Sequence, residues 1–195
     1  MNTLKAEKRS RDTKAKKLRR EGYVTGNIFG RDMEESVMIK MDKSEVDRVL
    51  KTSGKGSRIN LEVEGTPYNV LIKDIDYDPM KRQINEIDFQ ALVSNEKIHS
   101  VATVIPMNHE KIADGVFQLL LEEVAFKALP DALVEKVEFD AGHMKAGDAV
   151  KVKDLSIWAD PNVEVLTDPE TVVAVVSEVH NRAAEDEAAE ETEEA

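Results

Sequence analysis

The chain contains no cysteine, which excludes disulfides, thiolate metal sites and a cysteine nucleophile and permits a reducing compartment. Aromatic residues make up only 5% of it, and no aromatic RNP signature or zinc-finger spacing occurs, so the common RNA-binding modules do not describe it. No apolar run approaches the roughly 18 residues that a membrane span needs. The N-terminus is basic without an apolar stretch behind it, so no export signal is expected and a cytoplasmic location is. His99, His109, His143 and His180 are scattered and lack the i, i+3 or i, i+4 spacing of helix-borne ligands, so neither metal nor cofactor is expected. Ser53-Gly54-Lys55-Gly56-Ser57 is glycine-rich and basic but lacks the residue order of a phosphate-cradling loop. It is read as a loop after a helix, with RNA as one contact. Glu122 and Glu123 are adjacent, so in a strand they face opposite ways rather than pairing for acid/base work. No catalytic constellation is present, and neither an enzyme nor a small-molecule substrate is expected.

What the chain does have is charge, divided unevenly. The net charge of −12 conceals a net of +3 over residues 1–95 and −15 over residues 96–195. Residues 1–20 alone carry nine Lys and Arg against Glu7 and Asp12. Within them Arg9, Arg11, Lys14, Lys16, Lys17, Arg19 and Arg20 fall in a span of twelve residues, close enough to track one phosphate ridge. Thr13 to Glu21 reads as a short helix ended by Gly22, with Ala15 and Leu18 its only apolar residues. Lys16 and Arg20 at i, i+4 repel until something anionic neutralises them. A solvated basic arm is the plainer reading of the same residues. Tyr23 and Phe29 stand nearby, able to stack on a base or to pack inside, and packing is the favoured reading.

Beyond Gly22 the periodicity turns to strands at Asn27–Phe29, Ser36–Met41, Asn60–Val63, Tyr68–Asp74 and Ile84–Leu92, with a hairpin around Gly65-Thr66 and a turn at Asp78-Pro79. Between them Asp42 caps a helix whose apolar stripe is Val46, Val49 and Leu50. The second half alternates at 101–105, 124–126, 134–139, 150–152, 163–165 and 172–176, while Val116 to Val124 reads as a strand followed by a helical turn. The expected organisation is mainly β (α+β): a basic domain over 1–93, an acidic, antiparallel β-rich domain over 94–182, and a tail over 183–195. The tail has seven acids and no apolar residue larger than Ala, so disorder is expected.

One family shares this order of motifs. Lys-Leu-Arg-Arg-Glu-Gly at 17–22, Asn-Ile-Phe-Gly at 27–30, Val-Leu-Ile-Lys-Asp at 70–74, Asp-Pro at 78–79 and Ile-Asp-Phe-Gln at 87–90 resemble the bacterial large-subunit ribosomal protein L twenty-five. Gly-Val-Phe-Gln at 115–118, Ala-Leu-Pro-Asp-Ala-Leu at 128–133, the stretch 146–155 and Leu-Thr-Asp-Pro-Glu-Thr-Val-Val at 166–173 resemble its long form, the general stress protein CTC family. The resemblance covers about residues 5–178 and implies an N-terminal β-barrel with short helices that binds 5S rRNA in the cytoplasmic ribosome, with large-subunit proteins as neighbours. It carries Arg9, Lys14, Lys16, Lys17 and Arg19 over as phosphate contacts, and Asp88 as a barrel-face acceptor. Phe29 stands where the family usually has Tyr, Glu86 where it has His, and Thr25 where it has Pro. Replacing a donor by an acid costs about 1.5–3 kcal/mol in a lost charged hydrogen bond and adds repulsion toward phosphate. Weakened 5S binding is therefore expected, and a stress-associated interaction protein of the same fold is the alternative reading.

Overall fold

The computed structural model describes residues 2–112 and 115–178. Six strands, β1 (Thr3–Lys8), β2 (Tyr23–Phe29), β3 (Val37–Asp42), β4 (Arg58–Val63), β5 (Thr66–Asp78) and β6 (Gln83–Ala91), close a barrel in the order β1-β3-β2-β6-β5-β4. Two of the ladders, β1 with β4 and β2 with β6, are parallel, and the others are antiparallel. Alternation fills the interior. β4 turns Ile59, Leu61 and Val63 inward, where they share a core with Ile28, Ile39, Val70, Ile72 and Phe89. Closure leaves no unpaired barrel edge.

Helix α1 (Ala15–Arg20) precedes β2, and helix α2 (Lys43–Leu50) follows β3. The Asp42 carboxylate accepts from the Ser44 and Glu45 amides at 2.8 and 3.3 Å and also from the Ser44 hydroxyl. The hydroxyl bond does most to hold Asp42 below the usual carboxylate range. Val46 and Val49 are buried on the stripe read from the sequence.

Two features of the barrel depart from expectation. β1 replaces the start of what read as a plain basic segment, because only Leu4 and Ala6 turn inward from it. The β4–β5 turn is Glu64-Gly65, both at positive φ, so Thr66 is already paired with Val63.

The second body contains β7 (Ile98–Met107), β8 (Val116–Leu119), β9 (Glu123–Ala128), β10 (Lys136–Asp140), β11 (Ala149–Lys151), β12 (Val163–Val165) and β13 (Val172–Ser177). They form a four-stranded sheet, β10-β7-β9-β12, and a three-stranded sheet, β11-β13-β8. The pairs are antiparallel except β10 with β7. Their core holds Val124, Phe126, Val137, Leu155, Ile157 and Val173. The helical turn expected after β8 is not formed. Leu120 and Leu121 both donate their amides to the Val173 carbonyl instead, which carries the chain along β13 into β9. The acidic tail and His180 lie outside the described residues.

The loop 53–57 meets the second body rather than an open surface. Gly56, at φ +83°, donates to the Ile72 carbonyl at 2.9 Å, and a Cβ there would stand 2.1 Å from the Val101 carbonyl oxygen. Only glycine permits that approach. The pairing of β5 with β6 passes from Ile72 to Asp74, skipping Lys73, whose ammonium donates to the His99 carbonyl at 2.7 Å.

Candidate RNA interface

α1 is only six residues long and buries Leu18 alone, so the rest of it projects charge. Leu18 fixes its orientation, and Gly22, at φ +92°, turns the chain into β2. Lys14 is the N-cap and makes no side-chain cap bond. Lys16, Lys17 and Arg20 are exposed, with Arg19 half-buried. Lys17 lies 3.8 Å from Glu21, an exposed i, i+4 pair of little energetic weight.

The β5–β6 hairpin faces this helix. Between them is a groove of about 590 Å³ lined by Lys16, Arg19 and Arg20 on one side and by Asp78, Lys81, Gln83 and Asn85 on the other. Four cations thus stand against one acid. Asp78 is already engaged, accepting from the Met80 and Lys81 amides at 3.0 and 3.1 Å and pairing with the Lys81 ammonium at 3.2 Å. The Lys81 amide, ahead of the other partners, keeps its carboxyl below the usual range. Lys81, Gln83 and Asn85 were not singled out from the sequence. The Asp78-Pro79 turn was legible, but nothing in it pointed to α1.

The other expected residues are placed differently. Arg11 is exposed in the turn before α1. Arg9 lies along β3 instead, its amide donating to the Met38 carbonyl at 2.9 Å and its guanidinium reaching the Met38 sulfur at 3.6 Å, with Nε buried and unpartnered. Phe29 ends β2 and is 37% exposed, not packed in the core. Tyr23 is half-buried, with the Lys40 ammonium 4.7 Å above its ring. Glu7, by its hydrogen bond, raises the affinity of Lys40 for its proton.

Glu86 and Asp88 project from β6 into a small hollow of about 100 Å³ that they share with Asp74 and Asp76 of β5. Four carboxylates meet there. One amide nitrogen, that of Asn27 on β2, donates to Glu86 at 2.9 Å and to Asp88 at 3.3 Å. Among the described residues no group of three or more His, Asp or Glu is arranged to hold a metal ion, and no helix is long and apolar enough to cross a membrane. The barrel therefore offers a cationic groove beside an acceptor-rich patch, on the same β5–β6 ladder.

Comparison with known proteins accounts for both bodies. Residues 4–89 match the Ribosomal L25p family, and residues 97–180 match the domain described as ribosomal protein TL5, C-terminal domain. The chain is 31% identical over 180 residues to the large ribosomal subunit protein bL25 of Caldanaerobacter subterraneus subsp. tengcongensis, covering 89% of this chain and 88% of the relative. The chain belongs to the Ribosomal L25p family. It is 29% identical over 192 residues to the bL25 protein of Bacillus velezensis, covering 96% of this chain and 94% of that one. A bL25 protein of Thermoanaerobacter is similar at 30% over 184 residues. These relatives match along nearly their whole length, so the chain has the long, two-part form. The L25p family is one of structural ribosomal proteins rather than enzymes.

Proposed function

We propose that the chain is a constituent of the large subunit of cytoplasmic ribosomes that binds 5S rRNA through residues 1–93, with the groove between α1 and the β5–β6 hairpin as the phosphate-binding surface. The observation that carries this reading is the convergence of Lys16, Arg19, Arg20 and Lys81 on one groove containing a single, already satisfied acid. Lys14, Lys17 and Arg11 flank it as further cations, and Arg9 supports the path of the chain. Phosphate contacts fix register, and neutral amides can read base edges or ribose hydroxyls, so Gln83 and Asn85 supply what the cations lack.

Asp88 can only accept, so it faces an amino group or a hydroxyl, while Glu86 beside it repels phosphate. The groove and the patch together give the RNA one permitted orientation. Phe29, exposed at the end of β2, offers a ring for stacking. Residues 94–182 form the second domain in this reading.

Titration against 5S rRNA and against an unrelated RNA duplex, each at 50 and 200 mM salt, tests it. A clear preference for 5S rRNA with a steep salt slope is the expected result. The four-carboxylate patch favours a second reading, an interaction protein of the same fold that has lost 5S binding, and equal affinity for the two RNAs would establish that one.

A further inference from the structure

The barrel has a second cationic cluster, on the face opposed to the second body. Lys55 comes from the loop after α2, Arg58 from the start of β4 and Lys73 from the skipped position of β5. Every one of these side chains is engaged across the junction. The Lys55 ammonium is 3.4 Å from Glu123, and the Arg58 guanidinium is 3.4 Å from Asp131 and 3.3 Å from the Pro130 carbonyl. The Arg58 amide donates to Glu135 at 3.4 Å, and the Lys73 ammonium donates to the His99 carbonyl. Asp74, on the barrel itself, lies 3.6 Å from Lys55. The fit is tight enough to bring Gly56 against the Val101 carbonyl, backbone to backbone.

We propose that the second body is a shield: Glu123, Asp131 and Glu135 cover the Lys55–Arg58–Lys73 face of the barrel and so confine RNA to the α1 groove. Three uncovered cations would form a second, sequence-independent phosphate site, since such contacts carry affinity without information. Glu123, Asp131 and Glu135 remove that option in cis. Burial, and next the neighbouring Lys55 charge, lower the proton affinity of the Lys73 amine. The inference rests on the α1 groove being the productive RNA surface, and it assigns the second body a task separate from that groove.

The test uses the full chain and a mixed-sequence RNA duplex of about 20 base pairs, unrelated to 5S rRNA. The variant Glu123→Gln/Asp131→Asn/Glu135→Gln strips the cover of its charge. A control, Glu110→Gln/Glu138→Gln/Glu178→Gln, changes net charge equally at exposed acids away from the junction. The junction variant is expected to bind the duplex on the order of tenfold more tightly at 50 mM salt, with a salt slope steeper by about 2 to 3, while the control gains far less. Gly56→Val, which drives a side chain into the Val101 carbonyl, is expected to produce the same gain by steric means. Adding Lys55→Gln, Arg58→Gln and Lys73→Gln to the junction variant should return binding to that of the parent protein. Equal gains in control and junction variants, no gain in either junction variant, or a gain that survives loss of Lys55, Arg58 and Lys73 would each overturn the shield. A failed 5S titration leaves this comparison readable, because the probe is a different RNA.

Discussion

Asn27 and Glu86 are joined across the parallel β2–β6 ladder by a hydrogen bond of 2.9 Å, and the same Asn27 amide also donates to Asp88 at 3.3 Å. Glu86 is thus not an isolated acid on the barrel face. Its neighbour on β2 supplies the donor that it needs. Asn27→Ala leaves two adjacent carboxylates without that donor and should lower stability by about 1 kcal/mol, read from urea denaturation midpoints. Glu86→Gln in the Asn27→Ala background should recover part of the loss, because it removes the like charge beside Asp88.

Glu86→His should tighten binding of 5S rRNA by about fivefold at low salt, since two unit charges about 4 Å apart in water repel by roughly 1 kcal/mol. An unchanged dissociation constant would mean that this part of β6 does not face the RNA.

Lys16→Gln/Arg19→Gln/Arg20→Gln empties one wall of the groove while leaving Leu18 to anchor α1. The slope of log affinity against log salt should become shallower by about 2 to 3, with thermal stability nearly unchanged. Loss of affinity without a change of slope would point to misfolding rather than to lost phosphate contacts.

Gly26 in β2 has no room for a side chain, because a Cβ would lie 2.5 Å from the Ile87 carbonyl and 3.1 Å from the Met41 side chain. Gly26→Ala should therefore cost about 1–3 kcal/mol by overpacking the β2–β6 contact. Thermal unfolding measures it.

In the second body Glu170 accepts from both Lys151 and Lys153 at 2.7 Å. These bonds, that of Lys151 first, lower the Glu170 carboxyl from 4.5 to about 2. A carboxyl held lower in the folded state than in the unfolded state binds its proton later on acidification. Its contribution is present above about pH 4.5 and disappears as the pH falls toward 2. The melting temperatures of the parent protein and Glu170→Gln should differ above pH 5 and converge between pH 4.5 and 2.

The fold was legible wherever a periodic pattern ran long enough to show itself. α2 could be read from Asp42 and the Val46–Val49 stripe, and most strands from their alternation, because burial on one side writes a period of two into the sequence. β1 was hidden for the opposite reason: its exposed positions are charged, and only Leu4 and Ala6 mark the inner side. The extra turn after β8 was inferred from the apolar run 116–124, over which a buried strand and a short helix look alike, and the amides of Leu120 and Leu121 in fact serve β13, a contact distant in the chain. At the candidate interface the cations of α1 were visible as a cluster. Their hairpin partners Lys81, Gln83 and Asn85 were not, since nothing local says which residues a turn will carry to a helix far earlier in the chain. Loop 53–57 was read as a loop with RNA as one contact because glycine and lysine are shared by anion-contacting loops and by close backbone packing, and the Val101 contact distinguishes them.

The parallel ladder between β1 and β4 has one more effect. It staples the cationic run at its upstream end, while Leu18 and the turn into β2 fasten it downstream. A dangling arm surrenders about 1–2 kcal/mol of backbone freedom per residue when it grips a ligand. Here that freedom is already gone once the barrel has closed, so the grip orders side chains but little backbone, and affinity is left largely to charge and shape.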